Sequence, residues 1–292
     1  MAQTTDGLFL MSKVLRAGVM GWPVSHSLSP RLHGRWLARY EIDGSYDAIA
    51  VGPEGLAEAL SQLLENGFQG VNLTVPHKET ALALVDSIDV TAQQIGAINT
   101  IVVEQDGTLA GSNTDGFGFI ENLRDHVADQ VAAGWSGRPV TILGAGGAAR
   151  AVCTALLSCG VGDIRLVNRT AERAVSLAEQ LPRLKQCATI ISWNDRAEAL
   201  ADTGLLVNTT VLGMIGQEPL ELNLINLPAD ATVNDIVYAP LETDLLAQAR
   251  QRGNHVVDGL GMLLHQARPG FRAWFGVDPV VDEKLRQAVL TG

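Results

Sequence analysis

The chain has 292 residues, 47% of them hydrophobic and 18% charged, enough for about two ordinary globular domains. Its net charge of −11 argues against a nucleic-acid footprint. No apolar run reaches the ~18 residues of a membrane span, and the opening MAQTTDGLFLMSK lacks the basic-then-apolar order of a signal peptide.

Residues 1–12 read as a loose tail, with Met11 as an alternative start. A first strand is predicted over 14–20. Ser29-Pro30 opens a helix to about Tyr40, with proline in the favoured first position and an apolar stripe of Leu32, Trp36, Leu37 and Tyr40. A second strand falls near 47–51, then a helix over 54–65 that Asn66-Gly67 stops. GVNLTVPHK, residues 70–78, supplies the third strand. Val71, Leu73 and Val75 alternate with Asn72 and Thr74, so the amide and the hydroxyl share one face before Pro76 ends the strand and Lys78 follows. A helix is predicted over 79–85, and a hairpin of 98–103 with 109–111 across Asp106-Gly107. After a helix near 118–129, residues 133–139 read as a linker. Strands follow at 140–143, 164–167, 189–191, 205–208 and 232–235, with helices at 148–159, 171–181, 241–252, 261–274 and 282–290. Strand–helix alternation throughout implies an α/β protein with parallel sheets and helical crossovers.

The strongest local signal is VTILGAGGAARAV. Gly144, Gly146, Gly147, Ala148 and Ala149 fit G-x-G-x-x-A directly after an apolar strand and at a helix start, where the backbone can approach a pyrophosphate. A plain tight turn is the other reading. A Rossmann-type, doubly wound dinucleotide domain follows from the first. The next strand ends in Asn168-Arg169-Thr170, where an NAD site usually places an acid about 20 residues on. Arg169, with Arg173 one turn later, suits a ribose 2′-phosphate, so NADP (NADPH) is favoured over NAD. Arg173 also fits a solvated helix face.

Other polar groups cluster in loops. Ser27 and Ser29 follow the first strand, at the end where open α/β sheets bind ligands, although Ser29 also fits an N-cap before Pro30. Asn99 and Asp115 also fit as turn residues, and Asn72 and Thr74 as groups that satisfy nearby backbone. Cys153, Cys159 and Cys187 form no CxxC pair and read as reduced, buried thiols of a cytoplasmic protein. The six histidines show no i, i+4 pair, so no metal is expected; His26 and His77 read as loop-shaping.

Taken in order, SHSLSP, NLTVPHK, GAINT, NTDG, GAGGAAR, NRT, VNTTVLGM, DIVYAP and DGLGMLLHQA resemble the shikimate dehydrogenases over about residues 17–276. The resemblance implies an NADP-dependent enzyme that interconverts 3-dehydroshikimate and shikimate in aromatic amino-acid biosynthesis. It implies Lys78 and Asp115 as the catalytic pair and Ser27, Ser29 and Tyr238 around the substrate carboxylate. Asn72, Thr74, Asn99 and Gln266 would hold the ring hydroxyls. Gly144, Gly146, Gly147, Ala148 and Ala149 would form the pyrophosphate turn, Asn168, Arg169, Thr170 and Arg173 the 2′-phosphate site, and Gly259 and Met262 would lie against the nicotinamide.

It implies further a substrate domain of residues 1–115 completed by 258–292, a dinucleotide domain of 116–257, and the active site between them. Arg268-Pro269-Gly270 stands where many relatives continue a helix, which predicts an early end to the helix bearing Gln266. Partners are the small-molecule substrate, with no nucleic acid and no membrane, and a homodimer left open. The rivals are a quinate or quinate/shikimate dehydrogenase using NAD and a non-catalytic dinucleotide-sensing regulator.

Overall fold

A computed structural model describes residues 14–291. The tail expected over 1–12, Met11 included, lies outside the described residues. The chain alternates β1 (Leu15–Gly21), α1 (Ser29–Arg39), β2 (Gly44–Ala50), α2 (Leu56–Ser61), β3 (Phe68–Leu73), β4 (Ser87–Ile88), α3 (Val90–Ile95), β5 (Thr100–Val103) and β6 (Leu109–Ser112). These strands form one sheet of order β2-β1-β3-β5-β6-β4. It is mixed, not parallel as expected: β5 runs antiparallel to both β3 and β6, because the 98–111 hairpin reverses direction without a crossover. The helix expected over 54–65 is shorter, and Gly67, at φ +75, makes a turn beyond it instead of a C-cap. The helix expected over 79–85 is one short 3₁₀ segment, Thr80–Ala83.

The second half comprises α4 (Asp115–Ala133), β7 (Val140–Leu143), α5 (Gly147–Ser158), β8 (Ile164–Asn168), α6 (Ala171–Gln180), α7 (Pro182–Cys187), β9 (Ala188–Ser192), β10 (Leu205–Asn208), β11 (Thr232–Asp235), α8 (Asp244–Gln251) and β12 (His255–Val257). Its strands are all parallel, in the order β12-β11-β10-β7-β8-β9, the doubly wound order of a dinucleotide-binding sheet. The central β7, β10 and β11 are buried along their whole length, as strands covered on both faces are. Two helices, α9 (Leu260–Phe275) and α10 (Glu283–Thr291), then return to the first sheet.

That return is built from aromatics. Phe271, Trp274 and Phe275 of α9 join Ala17, Val19, Trp36 and Tyr46 in one buried cluster. The Trp274 indole N–H donates to the Ile101 carbonyl at 3.0 Å. The helix therefore runs straight through Pro269, contrary to the expected early end. An interior proline costs ~3 kcal/mol, and burying three large aromatic side chains beyond it offsets that by more. Helices α4 and α9 cross at contact distance: a Cβ on Gly118 would lie 2.5 Å from the Met262 carbonyl, and one on Gly261 would collide with Asn122.

Among the thiols, only Cys153 is buried. Cys159 and Cys187 are half-buried because they sit at the ends of α5 and α7. Among the described residues no helix is long and apolar enough to cross a membrane.

Candidate active site

One cavity of about 370 Å³ opens between the carboxyl ends of the first sheet's strands and α9, and is bordered also by Ile236 and Tyr238 of the second half. Ser27, Ser29, Asn72, Thr74, Lys78, Asn99, Asp115, Tyr238, Gly259, Met262 and Gln266 all line it. The alternation read in GVNLTVPHK is realised: Val71 and Leu73 point into the apolar cluster under α2, while Asn72 faces the opposite side.

At the centre, the Lys78 amine donates to Asp115 Oδ2 at 2.7 Å, with both side chains partly shielded. Asp115 is the first residue of α4, where the helix dipole favours a carboxylate. Its Oδ1 accepts from Asn99 Nδ2 at 2.7 Å, and the same amide nitrogen reaches Gln266 Oε1 at 3.3 Å. Lys78 is anchored by its own carbonyl, which takes the Ile98 N–H at 2.7 Å. His77 is buried with Nε2 2.7 Å from the Val51 carbonyl, which fixes the loop that presents Lys78.

Ser29 is not an N-cap. It is the first residue of α1, and its N–H donates to Ser27 Oγ at 3.3 Å. Ser27 Oγ accepts that bond and donates to no group among the described residues, so its proton is free toward the cavity. Burial pushes the Tyr238 hydroxyl above its ordinary pKa.

The glycine turn lies at a second cavity, of about 610 Å³, lined by Gly146, Gly147, Arg150, Glu172 and Arg173 among others. Gly144 adopts φ +109 and passes within 2.6 Å, measured from an ideal Cβ, of Thr209 Oγ1, so the turn needs glycine there. A Cβ on Gly146 or Gly147 would meet nothing, and no side chain caps the N-terminus of α5. Free N–H groups beside open space suit a pyrophosphate. Ala149 is fully buried in the core of this half. Arg173 lines this cavity, and Arg169 lines another with Trp193, Arg196 and Leu212. Asn168 turns inward on its own loop, donating to the Thr170 carbonyl at 2.7 Å.

Family models match over two stretches, the shikimate dehydrogenase substrate binding domain at residues 19–101 and shikimate / quinate 5-dehydrogenase at 126–213. The shikimate dehydrogenase (NADP(+)) of Rhodospirillum rubrum is 56% identical over 282 residues, 96% of this chain and 99% of that one. The chain belongs to the shikimate dehydrogenase family. The enzyme of the same description from Paramagnetospirillum magneticum is 55% identical over 97% of this chain and 100% of that one. Among solved structures, Thermus thermophilus shikimate 5-dehydrogenase in complex with NADP(H) and shikimate superposes with a TM-score of 0.81 at 37% identity, covering 95% of this chain and 99% of that one. Quinate dehydrogenase from Corynebacterium glutamicum in complex with NAD gives 0.87 at 29%, over 95% and 99%.

In this member of the shikimate dehydrogenase family, three further groups lie inside the quoted motifs without a role read from them. Thr114 holds both Asn99, through its N–H at 2.9 Å, and the Gln266 carbonyl, through its hydroxyl at 2.8 Å. Arg150, the last letter of GAGGAAR, borders the glycine-turn cavity and bonds Gln180. Asp235 is wholly buried beneath the loop carrying Tyr238. It accepts from Asn208 Nδ2, the Val237 N–H and the Thr243 hydroxyl.

Burial pushes the Asp235 carboxyl up to about 6. Because the folded value exceeds the unfolded ~3.9, its stabilising contribution is full below pH ~4 and is lost as pH rises through ~6, roughly 3 kcal/mol in all. Asp235→Asn cannot ionise, so its melting temperature should gain on wild type between pH 5 and pH 8. A difference between the two proteins that does not change with pH would rule out this titration.

Proposed function

We propose that this protein catalyses the reversible NADPH-dependent reduction of 3-dehydroshikimate to shikimate in the cytoplasm. The observation that carries the reading is the Lys78–Asp115 pair, 2.7 Å apart, at the centre of a cavity lined by hydroxyls and amides and reached by both halves of the molecule. The division into a substrate domain, 1–115 with 258–292, and a cofactor domain, 116–257, is supported by the separation of the two sheets and their cores. Three free thiols suit the cytoplasm.

Bound at the glycine turn, NADPH would supply the hydride that reduces the ketone. Lys78 gives the proton to the developing alkoxide and recovers it in the reverse direction; Asp115 orients the amine and balances its charge. Ser27, with its proton free, donates to the substrate carboxylate. Tyr238 adds a second hydroxyl from the opposite wall. Asn99 and Gln266, already linked to each other and to Asp115, present amides to the ring hydroxyls. A site built to bond hydroxyls discriminates strongly against substrates that lack them.

Shikimate oxidation followed by NADPH absorbance tests the activity, with quinate and NAD as the competing substrate and cofactor; turnover on neither acid would reject it. In the same assay Ser27→Ala should raise the KM for shikimate roughly tenfold and leave kcat nearly unchanged, since a carboxylate held equally in ground and transition states contributes only to binding. Arg169→Ala should raise the KM for NADP by about tenfold or more and leave that for NAD unmoved. Equal losses with both cofactors would place the 2′-phosphate elsewhere.

A further inference from the structure

A chain of buried side chains runs from Tyr46 on β2 to Asp115, and chemistry fixes the direction of every bond in it. The Asp115 carboxylate, paired with the Lys78 amine, can only accept, so the group 2.7 Å from its Oδ1 is the Asn99 amide nitrogen. The other end of that amide, Oδ1, takes the Thr114 N–H at 2.9 Å, which sets the same orientation independently. Thr100 Oγ1, 2.9 Å from Asn99 Oδ1, must therefore donate to it. Its lone pairs then face Asn72 Nδ2 at 3.1 Å. That nitrogen also donates to the Asn99 main-chain carbonyl at 3.0 Å, again a second determinant. Asn72 Oδ1 accepts from the Tyr46 hydroxyl at 2.6 Å.

The fold makes this chain possible in two places. Asn72 and Thr100 are direct cross-strand partners on β3 and β5. Tyr46 pairs with Ala17 of β1, and that small residue lets the phenol lie across the strand to reach β3. Behind it, His33 stacks on the Tyr46 ring at 3.8 Å. Burial holds the His33 imidazole down to about 3, so its ring is neutral and competes with no link of the chain. Every member from Tyr46 to Asn99 is buried, Tyr46 and Thr100 away from the cavity and Asn72 and Asn99 at its wall. Aligned bonds in a low-dielectric interior strengthen one another, and each of these donors points toward Asp115.

We propose that Tyr46 and Thr100, which do not border the cavity, are positioning residues: with Asn72 and Asn99 they form a one-way relay that keeps the Asn99 amide and the Asp115 carboxylate aimed at Lys78. This rests on the catalytic reading of Lys78 and Asp115 given above. Without the Thr100 hydroxyl, Asn99 Oδ1 and one Asn72 N–H each lose a partner, and the Asn99 amide is freer to turn.

The test uses Thr100→Val, Thr100→Ser and Tyr46→Phe in the full chain. Thr100→Val should lower kcat for shikimate oxidation about tenfold, the equivalent of one buried hydrogen bond, with the KM for NADP unmoved. Thr100→Ser, which keeps the hydroxyl, should restore kcat to within about twofold of wild type. Independently of turnover, hydrogen exchange of the Asn99 side-chain amide, followed by NMR, should be slow in wild type and about tenfold faster in Thr100→Val and Tyr46→Phe. Wild-type kcat together with wild-type Asn99 exchange in Thr100→Val would overturn the relay, as would a Thr100→Ser enzyme as slow as the valine variant. A wild-type protein inactive on shikimate would overturn the assigned reaction, and Asn99 exchange would then decide the relay alone.

Discussion

Replacing Lys78 by alanine should lower kcat for shikimate oxidation by ~10²–10⁴ while KM changes little, the signature of a group that acts in the transition state. The geometry gives the reason. The amine is held 2.7 Å from a carboxylate that is itself fixed by Asn99 and by the start of α4, so it is positioned before substrate arrives. Tyr238 is a poor substitute, since burial makes its hydroxyl hold its proton more tightly. Lys78→Arg separates two roles that alanine removes together. Arginine keeps the positive charge but does not give up a proton, so it should be almost as slow as alanine if proton transfer is the function. Near-normal turnover in Lys78→Ala would remove this residue from the mechanism; near-normal turnover in Lys78→Arg would reduce its role to charge.

Gly70→Ala should destabilise the fold by roughly 4 kcal/mol or more, measured by denaturant unfolding. Gly70 adopts φ +154, and a Cβ there would lie 2.1 Å from the Ile101 carbonyl and 2.2 Å from Trp274 Nε1. Those are the two partners of the hydrogen bond that docks α9 on the first sheet. The methyl would force them apart, adding backbone strain of ~1–3 kcal/mol to overpacking of ~1–3 and to a buried indole and carbonyl left unpaired. Because domains of this kind are stable by only about 5–15 kcal/mol, the variant should be recovered poorly or not at all at 37 °C. A variant that unfolds at the wild-type denaturant midpoint would show that α9 does not depend on this contact.

The parts legible in the sequence are those whose signal is local. The strands at 140–143, 205–208 and 232–235 match the structure residue for residue; VTIL and LLVN are the largely apolar runs of strands buried on both faces, while TVND is buried with its polar ends partnered inside the protein. The glycine turn was legible for the same reason. The short helix Val90–Ile95 is marked in the sequence only at its ends: Asp89 caps the Ala92 N–H at 2.6 Å, and Gly96 closes it at φ +69. Six residues give too little periodicity to notice. The passage of α9 through Pro269 shows tertiary packing overriding a local breaker, since the aromatics that hold it lie on the far side of the proline.

Tyr46 and Thr100 were illegible for a different cause. Tyr46 meets Asn72 across 26 positions of sequence and an intervening strand, and the second strand was expected to start one residue after it, at 47. The substrate-site residues quoted from motifs do converge on one cavity; Thr100 stands in GAINT with no role of its own read there, and Tyr46 lies outside every motif.

The close crossing of α4 and α9 has a mechanical consequence. The polypeptide enters the second half along one of these rods and leaves it along the other, and each glycine lets the facing helix approach: Gly118 meets the Met262 carbonyl and the stem of Gln266, Gly261 the side chain of Asn122. Asp115 at the tip of the first rod and Gln266 on the second flank that crossing, so the groups at the reaction centre are tied to the tightest junction between the two halves.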